Sequence, residues 1–159
     1  MNQKINLEGY VDSNWVGSAI DRKSTSGCYF SMGSCMISWF SRKQSCMALS
    51  TTEVEYVIAC LASCEAIWLR KLLSGLFDLQ LDATCIYCDN QSCVKLSENP
   101  GFHDKSKHIE IKYHYIMDMV QRGVVKLRYV AIDEQIANVL TKQLARVKFE
   151  YFREKLGVL

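Results

Sequence analysis

Short runs of strand-forming residues, separated by polar and turn-rich stretches, fill the first third of the chain. Residues 5–15, with Tyr10, Val11 and Trp15, read as a first strand, and residues 28–32 and 36–42 as two more. Gly33-Ser34 separates the last two, so the three predict an antiparallel meander, with 21–27 as a polar loop. At Thr51 the period changes. Val54, Val57, Ile58, Leu61, Trp68, Leu69 and Leu72 recur at helical spacing. They predict a long helix from Thr51 to Leu73 or beyond, ending near Gly75, with Ser63 as a point of bending. Residues 83–88 are apolar with little alternation, as in a buried central strand. An amphipathic segment at 93–96 and a helix over 109–122 follow, the latter stopped by Gly123, and then a strand over 124–130. A helix starts at Asp133. A last one, about 146–156, has Phe149, Phe152 and Leu156 as its stripe.

At 159 residues this reads as one domain able to bury a core without staples. Charged residues make up 23% and the net charge is +2, which excludes disorder and by itself argues only weakly for nucleic acid. The first residues carry no apolar signal-like region and no later run is long enough to span a membrane, so an intracellular protein is expected. Disulfides are then not expected among the eight cysteines. Cys85 and Cys88 have CxxC spacing, but an offset of three along a strand points the sulfurs to opposite faces. The cysteines read as small core hydrophobes. His103, His108 and His114 lack the i,i+4 spacing of a shared metal.

Three acids stand out. Asp12 interrupts an apolar strand, where aspartate is depleted, and needs an edge position or a ligand to explain it. Ser50 and Glu53 form a capping box, which leaves Glu55 without a capping role. Glu55 is then either a tolerated edge residue, favoured by the helix dipole, or a member of a site. Asp89 ends the central strand just before a helix; it is either that helix's N-cap or a site residue at the strand tip. Lys105, Lys107, His108 and Lys112 form a modest basic cluster that reads as ordinary surface or as a phosphate contact.

The motifs taken together resemble a known family. Gly9-Tyr10-Val11-Asp12-Ser13-Asn14-Trp15, Ala48 through Tyr56, Glu65 through Arg70, Tyr87-Cys88-Asp89-Asn90-Gln91-Ser92, Lys107-His108-Ile109 and Leu140-Thr141-Lys142 occur in order. They look like the ribonuclease H region of copia-type retrotransposon Pol polyproteins, from about Gly9 to the C-terminal helix. The resemblance implies an α/β ribonuclease H-like fold, a mixed five-stranded sheet flanked by helices. The domain would span 1–143, with a C-terminal helical tail over 144–159. It implies hydrolysis of the RNA strand of RNA–DNA hybrids, with two Mg²⁺ ions (Mn²⁺ as substitute) and the reverse transcriptase region of the same polyprotein as partner. The setting would be the cytoplasm, in a virus-like particle, or the nucleus.

Carried over residue by residue, the family's catalytic and metal-binding acids fall on Asp12, Glu55, Asp89 and position 138. There this chain departs, with Asn138 in place of an acid. An amide brings no charge and binds metal more weakly; losing one metal part of the time would cost about 2.7 kcal/mol in barrier, a factor of order 10². Ala131-Ile132 stand where the family has a hydroxyl cap for the last helix, so that helix start is expected to be poorly held. No room exists for a histidine between Val130 and Glu134, which leaves His108 or His114 as substitute proton shuttles. Hybrid contacts are expected from Lys23, Ser24, Arg42, Asn90, Gln91, Lys105 and Lys107. The alternative is a catalytically inactive, hybrid-binding remnant; an integrase or transposase of the same fold is disfavoured by the block order and the lack of zinc motifs.

Overall fold

The computed structural model describes residues 6–14, 23–44, 51–99 and 107–158. Five strands, β1 (Leu7–Asn14), β2 (Thr25–Met32), β3 (Cys35–Lys43), β4 (Thr84–Cys88) and β5 (Val125–Tyr129), form one sheet in the order β3-β2-β1-β4-β5. The first three make the expected antiparallel meander, turned at Gly33 with φ +63°. β4 runs parallel to β1, and β5 parallel to β4, so the sheet is mixed. Among the described residues four helices accompany it: α1 (Thr51–Phe77), α2 (Gln91–Glu98), α3 (Lys107–Gln121) and α4 (Arg146–Lys155). Among the described residues no helix is long and apolar enough to cross a membrane.

The buried stripe of α1 is only partly the expected one: Val54, Ile58 and Leu69 are buried as expected. Trp68 and Leu72 are 56% and 40% exposed, whereas Glu55, Ile58, Ala59, Ala62, Ala66, Leu69 and Leu73 are buried. Alanines let the helix axis approach the sheet, and the bulky residues that made the sequence pattern legible lie to the side. Glu55 belongs to this inward stripe by spacing. The helix is continuous through Ser63, whose hydroxyl bonds Ala59 O at 2.8 Å, and it overruns Gly75 to end at Asp78, φ +52°. Two polar ties fix its rotation: Ser38 Oγ donates to Glu65 Oε1 at 2.7 Å from β3, and Arg70 donates to Leu81 O at 2.9 Å ahead of β4. The Tyr56 ring meets Tyr113 of α3 edge-on at 6.0 Å.

The segment after β5 departs from expectation as well. No α-helix starts at Asp133; the chain makes two 3₁₀ turns, Ile132–Glu134 and Ile136–Leu140. Ala131 supplies no side-chain cap to the first, so its opening N–H groups lack the partner that would start a longer helix. Gln135 fills that role for the second turn by accepting from Ala137 N at 3.3 Å. In α4 only Phe152 of the expected stripe is fully buried, while Phe149 is 44% exposed. Lys148 adds an ion pair to Asp133 at 2.7 Å.

Candidate functional site

Parallel pairing of β1 and β4 sets Val11 beside Cys88, so Asp12 and Asp89, the next residues, leave the same end of the sheet. That end is where chain connections diverge, β1 lying between β2 on one side and β4 on the other; clefts form at such points. Along β1 successive side chains alternate faces. Val11 joins the core with Ile58 and Ala59 of α1, and Ser13, two residues on, donates its hydroxyl to Glu55 Oε1. The second carboxylate oxygen of Glu55 accepts from Cys88 Sγ at 3.5 Å. Ligating atoms of Glu55, Cys88 and Asp89 all lie within 4.8 Å of one another.

Asp12 faces the other way. Its Oδ2 accepts from Thr141 Oγ1 and lies 3.8 Å from Lys142 Nζ. The 3₁₀ segment is held there by two devices. Gln135, fully buried, donates from Nε2 to Val11 O at 2.8 Å. Gly27 of β2 provides the clearance: a Cβ at that position would stand 2.8 Å from both Leu140 Cβ and Thr141 Cγ2. Asn138 is also fully buried. Its Nδ2 donates to Ile132 O at 2.9 Å, and its Oδ1 is enclosed without a hydrogen-bond partner among the described residues. Thr141 Oγ1 lies 3.3 Å from Asn138 O, so one hydroxyl bridges the Asn138 backbone and the Asp12 carboxylate.

These acids are under electrostatic stress. Burial, with a contribution from Asp89, lifts Asp12 to about 6, against the opposing pull of Thr141 and Lys142. Burial together with Asp89 and Asp12 lifts Glu55 to about 8, the Ser13 hydrogen bond acting in the opposite sense. Asp89 is raised by burial too, and Lys142 lowers it. Asp89 thus acts on both Asp12 and Glu55, and Asp12 on Glu55, which marks the three as one cluster.

The structure therefore brings Asp12, Glu55 and Asp89 together and places Asn138 one hydroxyl away. Asp89 is not the cap of α2; Asn90 is, its Oδ1 accepting from Cys93 N at 3.1 Å. Ser24 is 1% exposed with its hydroxyl enclosed, which removes it from any surface contact. Arg42 is exposed, its guanidinium 4.4 Å over the Phe40 ring, and Gln91 is exposed at the start of α2. Lys23 is half-buried. Lys105, Ser50 and His103 lie outside the described residues, as do the side chains of Lys107 and His108. His114 is exposed and sits 3.8 Å from Glu110. Sequence reasoning assigned no role to Ser13, Cys88, Gln135, Thr141 or Lys142. Strand alternation pairs Ser13 with the core side of β1, and Thr141-Lys142 sat inside a quoted motif; nothing in the sequence singled out Gln135.

No protein-family model matches the chain. It is 40% identical over 152 residues to the retrovirus-related Pol polyprotein from transposon TNT 1-94 of Nicotiana tabacum, covering 96% of this chain and 11% of that protein. It is 39% identical to the Pol polyproteins from transposons RE2 and RE1 of Arabidopsis thaliana, covering 98% and 97% of this chain. It spans 11% and 10% of those two, so the chain corresponds to about a tenth of each relative. Among solved structures, the N-terminal RNase H domain of a Mycobacterium tuberculosis protein superposes with a TM-score of 0.63 at 9% identity, covering 94% of this chain and 97% of that one. LC11-RNase H1 in complex with an RNA/DNA hybrid gives 0.61 at 11%, covering 86% and 94%. The foamy viral protease-reverse transcriptase, also with an RNA/DNA hybrid, gives 0.63 at 13%, covering 92% of this chain and 20% of that one. At these identities the likeness is one of fold, that of ribonuclease H.

Proposed function

From the premise that the chain belongs to the retrovirus-related Pol polyproteins of copia-type transposons, as their ribonuclease H domain, we propose that it hydrolyses the RNA strand of RNA–DNA hybrids during reverse transcription. One observation carries the reading: Asp12, Glu55 and Asp89, distant in sequence, converge at the common end of two parallel strands, where burial raises the proton affinity of each and Asp89 raises that of the other two further. Two solved neighbours of this fold hold an RNA/DNA hybrid, which is consistent with the same substrate here. The reverse transcriptase region of the same polyprotein is the natural partner, and the setting is intracellular, in a cytoplasmic particle or the nucleus.

The residues present suit divalent cations. Crowded carboxylates, with Lys142 Nζ 3.8 Å from Asp12, and a buried Asn138 Oδ1 without a hydrogen-bond partner among the described residues are hard oxygen donors. Asp12, Glu55, Asp89 and Asn138 would hold Mg²⁺, which supplies an activated water and stabilises the leaving 3′ oxygen. The chain's own contribution is orientation. Ser13 and Cys88 fix the two oxygens of Glu55, Thr141 fixes Oδ2 of Asp12, and Lys142 places a cation beside that oxygen where a phosphate would approach. Arg42, Gln91, Lys105 and Lys107 are the proposed contacts to the hybrid backbone.

A second reading, a hybrid-binding remnant without cleavage, is favoured by a specific feature: the Asn138 amide is committed to Ile132 O instead of presenting a charge. Cleavage of a labelled hybrid in Mg²⁺ and in Mn²⁺, with Asp89→Asn as the blank, decides between them. Cutting by the native chain alone supports the nuclease. Retained hybrid binding with no cutting in either metal overturns it in favour of the remnant.

A further inference from the structure

The side chain that closes the site on the α1 side is a sulfur. Cys88 is fully buried, its Sγ lies 3.5 Å from Glu55 Oε2, and an Asp89 oxygen completes a set within 4.8 Å. A tetrahedral zinc-like ion bonds sulfur near 2.3 Å and carboxylate oxygen near 2.1 Å, so its sulfur and oxygen ligands stand roughly 3.6 Å apart. The observed separation is already that bite. Asn90 N–H donates to Cys88 Sγ at 3.4 Å and holds the sulfur in place; the neighbouring Cys93 and burial push the Cys88 thiol well up, so the metal itself has to displace the proton. Asp89 is half-buried, whereas Cys88 and Glu55 are buried.

We propose that Cys88, Glu55 and Asp89 form a site for one thiophilic divalent cation of the zinc and cadmium class, overlapping the magnesium site and therefore inhibitory. Magnesium avoids sulfur, whereas zinc and cadmium gain from it, so the same pocket discriminates between the two classes. Binding forms an Sγ–metal bond and breaks the Cys88 S–H bond, the proton leaving to solvent with no change in oxidation state. Occupancy depends only on this donor set; inhibition rests on the nuclease reading, because it requires that Glu55 and Asp89 serve the reaction.

The test is a titration of the metal-free chain with Cd²⁺, following the ultraviolet charge-transfer band of the cadmium–thiolate bond. Cys88→Ser and Asp89→Asn are run in parallel, with circular dichroism to confirm folding. Other thiols, among them the exposed Cys35 and Cys64, are common to all three chains, so the difference between native and Cys88→Ser isolates the site. The native chain is expected to show a difference band saturating at one equivalent and weakened by excess Mg²⁺. Asp89→Asn, which keeps the thiol, is expected to bind at least about tenfold more weakly. Identical bands in native and Cys88→Ser chains overturn the proposal, as does a band indifferent to Asp89→Asn. In the cleavage assay, with each chain scaled to its own zinc-free rate because Cys88 also orients Glu55, Zn²⁺ is expected to reduce the native rate at concentrations that leave the Cys88→Ser rate unreduced. A difference band in a chain that never cuts hybrid leaves the site standing and removes the nuclease reading instead.

Discussion

Replacing Asn138 by aspartate has a worked consequence, because the structure shows what the amide does. Nδ2 of the fully buried Asn138 donates to Ile132 O at 2.9 Å, in a bond that is itself only part-buried. A carboxylate cannot donate, so Asn138→Asp leaves the Ile132 carbonyl facing an anion. Losing this part-buried hydrogen bond costs about 1 kcal/mol, and a charge left unpaired at the fully buried position 138 adds to it. We expect a metal-free chain destabilised by about 2 kcal/mol, a fall in Tm of roughly 4–8 °C for a domain of this size. Mg²⁺ reverses the sign. The new carboxylate gives the ion a charged ligand, and saturation at about 100 times Kd returns about 2.7 kcal/mol. Differential scanning calorimetry of both chains with and without Mg²⁺ reads the crossing, and hybrid cleavage should rise on the order of 10²-fold, about 2.7 kcal/mol of barrier. Equal Tm values in the absence of metal would refute the role given to the Ile132 bond. A destabilisation that Mg²⁺ fails to relieve would refute position 138 as a ligand.

Four further outcomes follow from the same geometry. Gly27→Ala sets a methyl 2.8 Å from Leu140 and Thr141 and should cost about 1–3 kcal/mol by urea unfolding, with a larger loss in cleavage because the clasp on Asp12 shifts. Thr141→Val keeps the shape but removes the donor to Asp12 Oδ2, so the Asp12 proton affinity, followed by carboxyl NMR, should rise further; no rise refutes the bridge. Glu55 and Asp12 are held at about 8 and about 6 in the fold against 4.5 and 3.8 outside it, so the folded state binds more protons in between. Their contribution to metal-free stability is therefore fully present below 3.8 and lost as pH rises to about 8; Glu55→Gln should flatten that decline between 4.5 and about 8 in urea titrations, and an unchanged slope excludes it. Lys105→Ala and Lys107→Ala should each lower the salt slope of hybrid binding by about one if they touch phosphate.

Much of this was legible in the chain, and the failures have physical causes. Strand residues and turn signals placed the meander, and an uninterrupted apolar run placed β4 in the sheet interior. Glu55 was separable from Glu53 because two positions on a helix differ by roughly 200°. Val54, Ile58 and Leu69 of the α1 stripe were placed rightly, but Trp68 and Leu72 were not, because hydrophobic bulk marks a pattern whereas close approach to a sheet selects small residues, here Ala59, Ala62 and Ala66. The missing cap at Ala131 was visible, but its result, two 3₁₀ turns instead of a helix, depended on Gln135 reaching Val11 across 124 residues. No local rule carries that distance. Cys88 read as a core hydrophobe because burial is what a cysteine in a strand usually signals; only the fold reveals the carboxylate beside it.

That Gln135–Val11 bond has a consequence for how the molecule is made. β1 emerges from the ribosome first, yet its carbonyl at Val11 and its carboxylate at Asp12 wait for residues 135–141 before they find their partners. β4, its parallel neighbour, arrives some seventy residues after it. A fold closed this late completes only after its final turns have been translated, and contacts of such sequence separation form slowly. A copy of the element truncated by a stop codon shortly before Gln135 would retain every strand of the sheet and three of its acids, and still lack the clasp that orients the first of them.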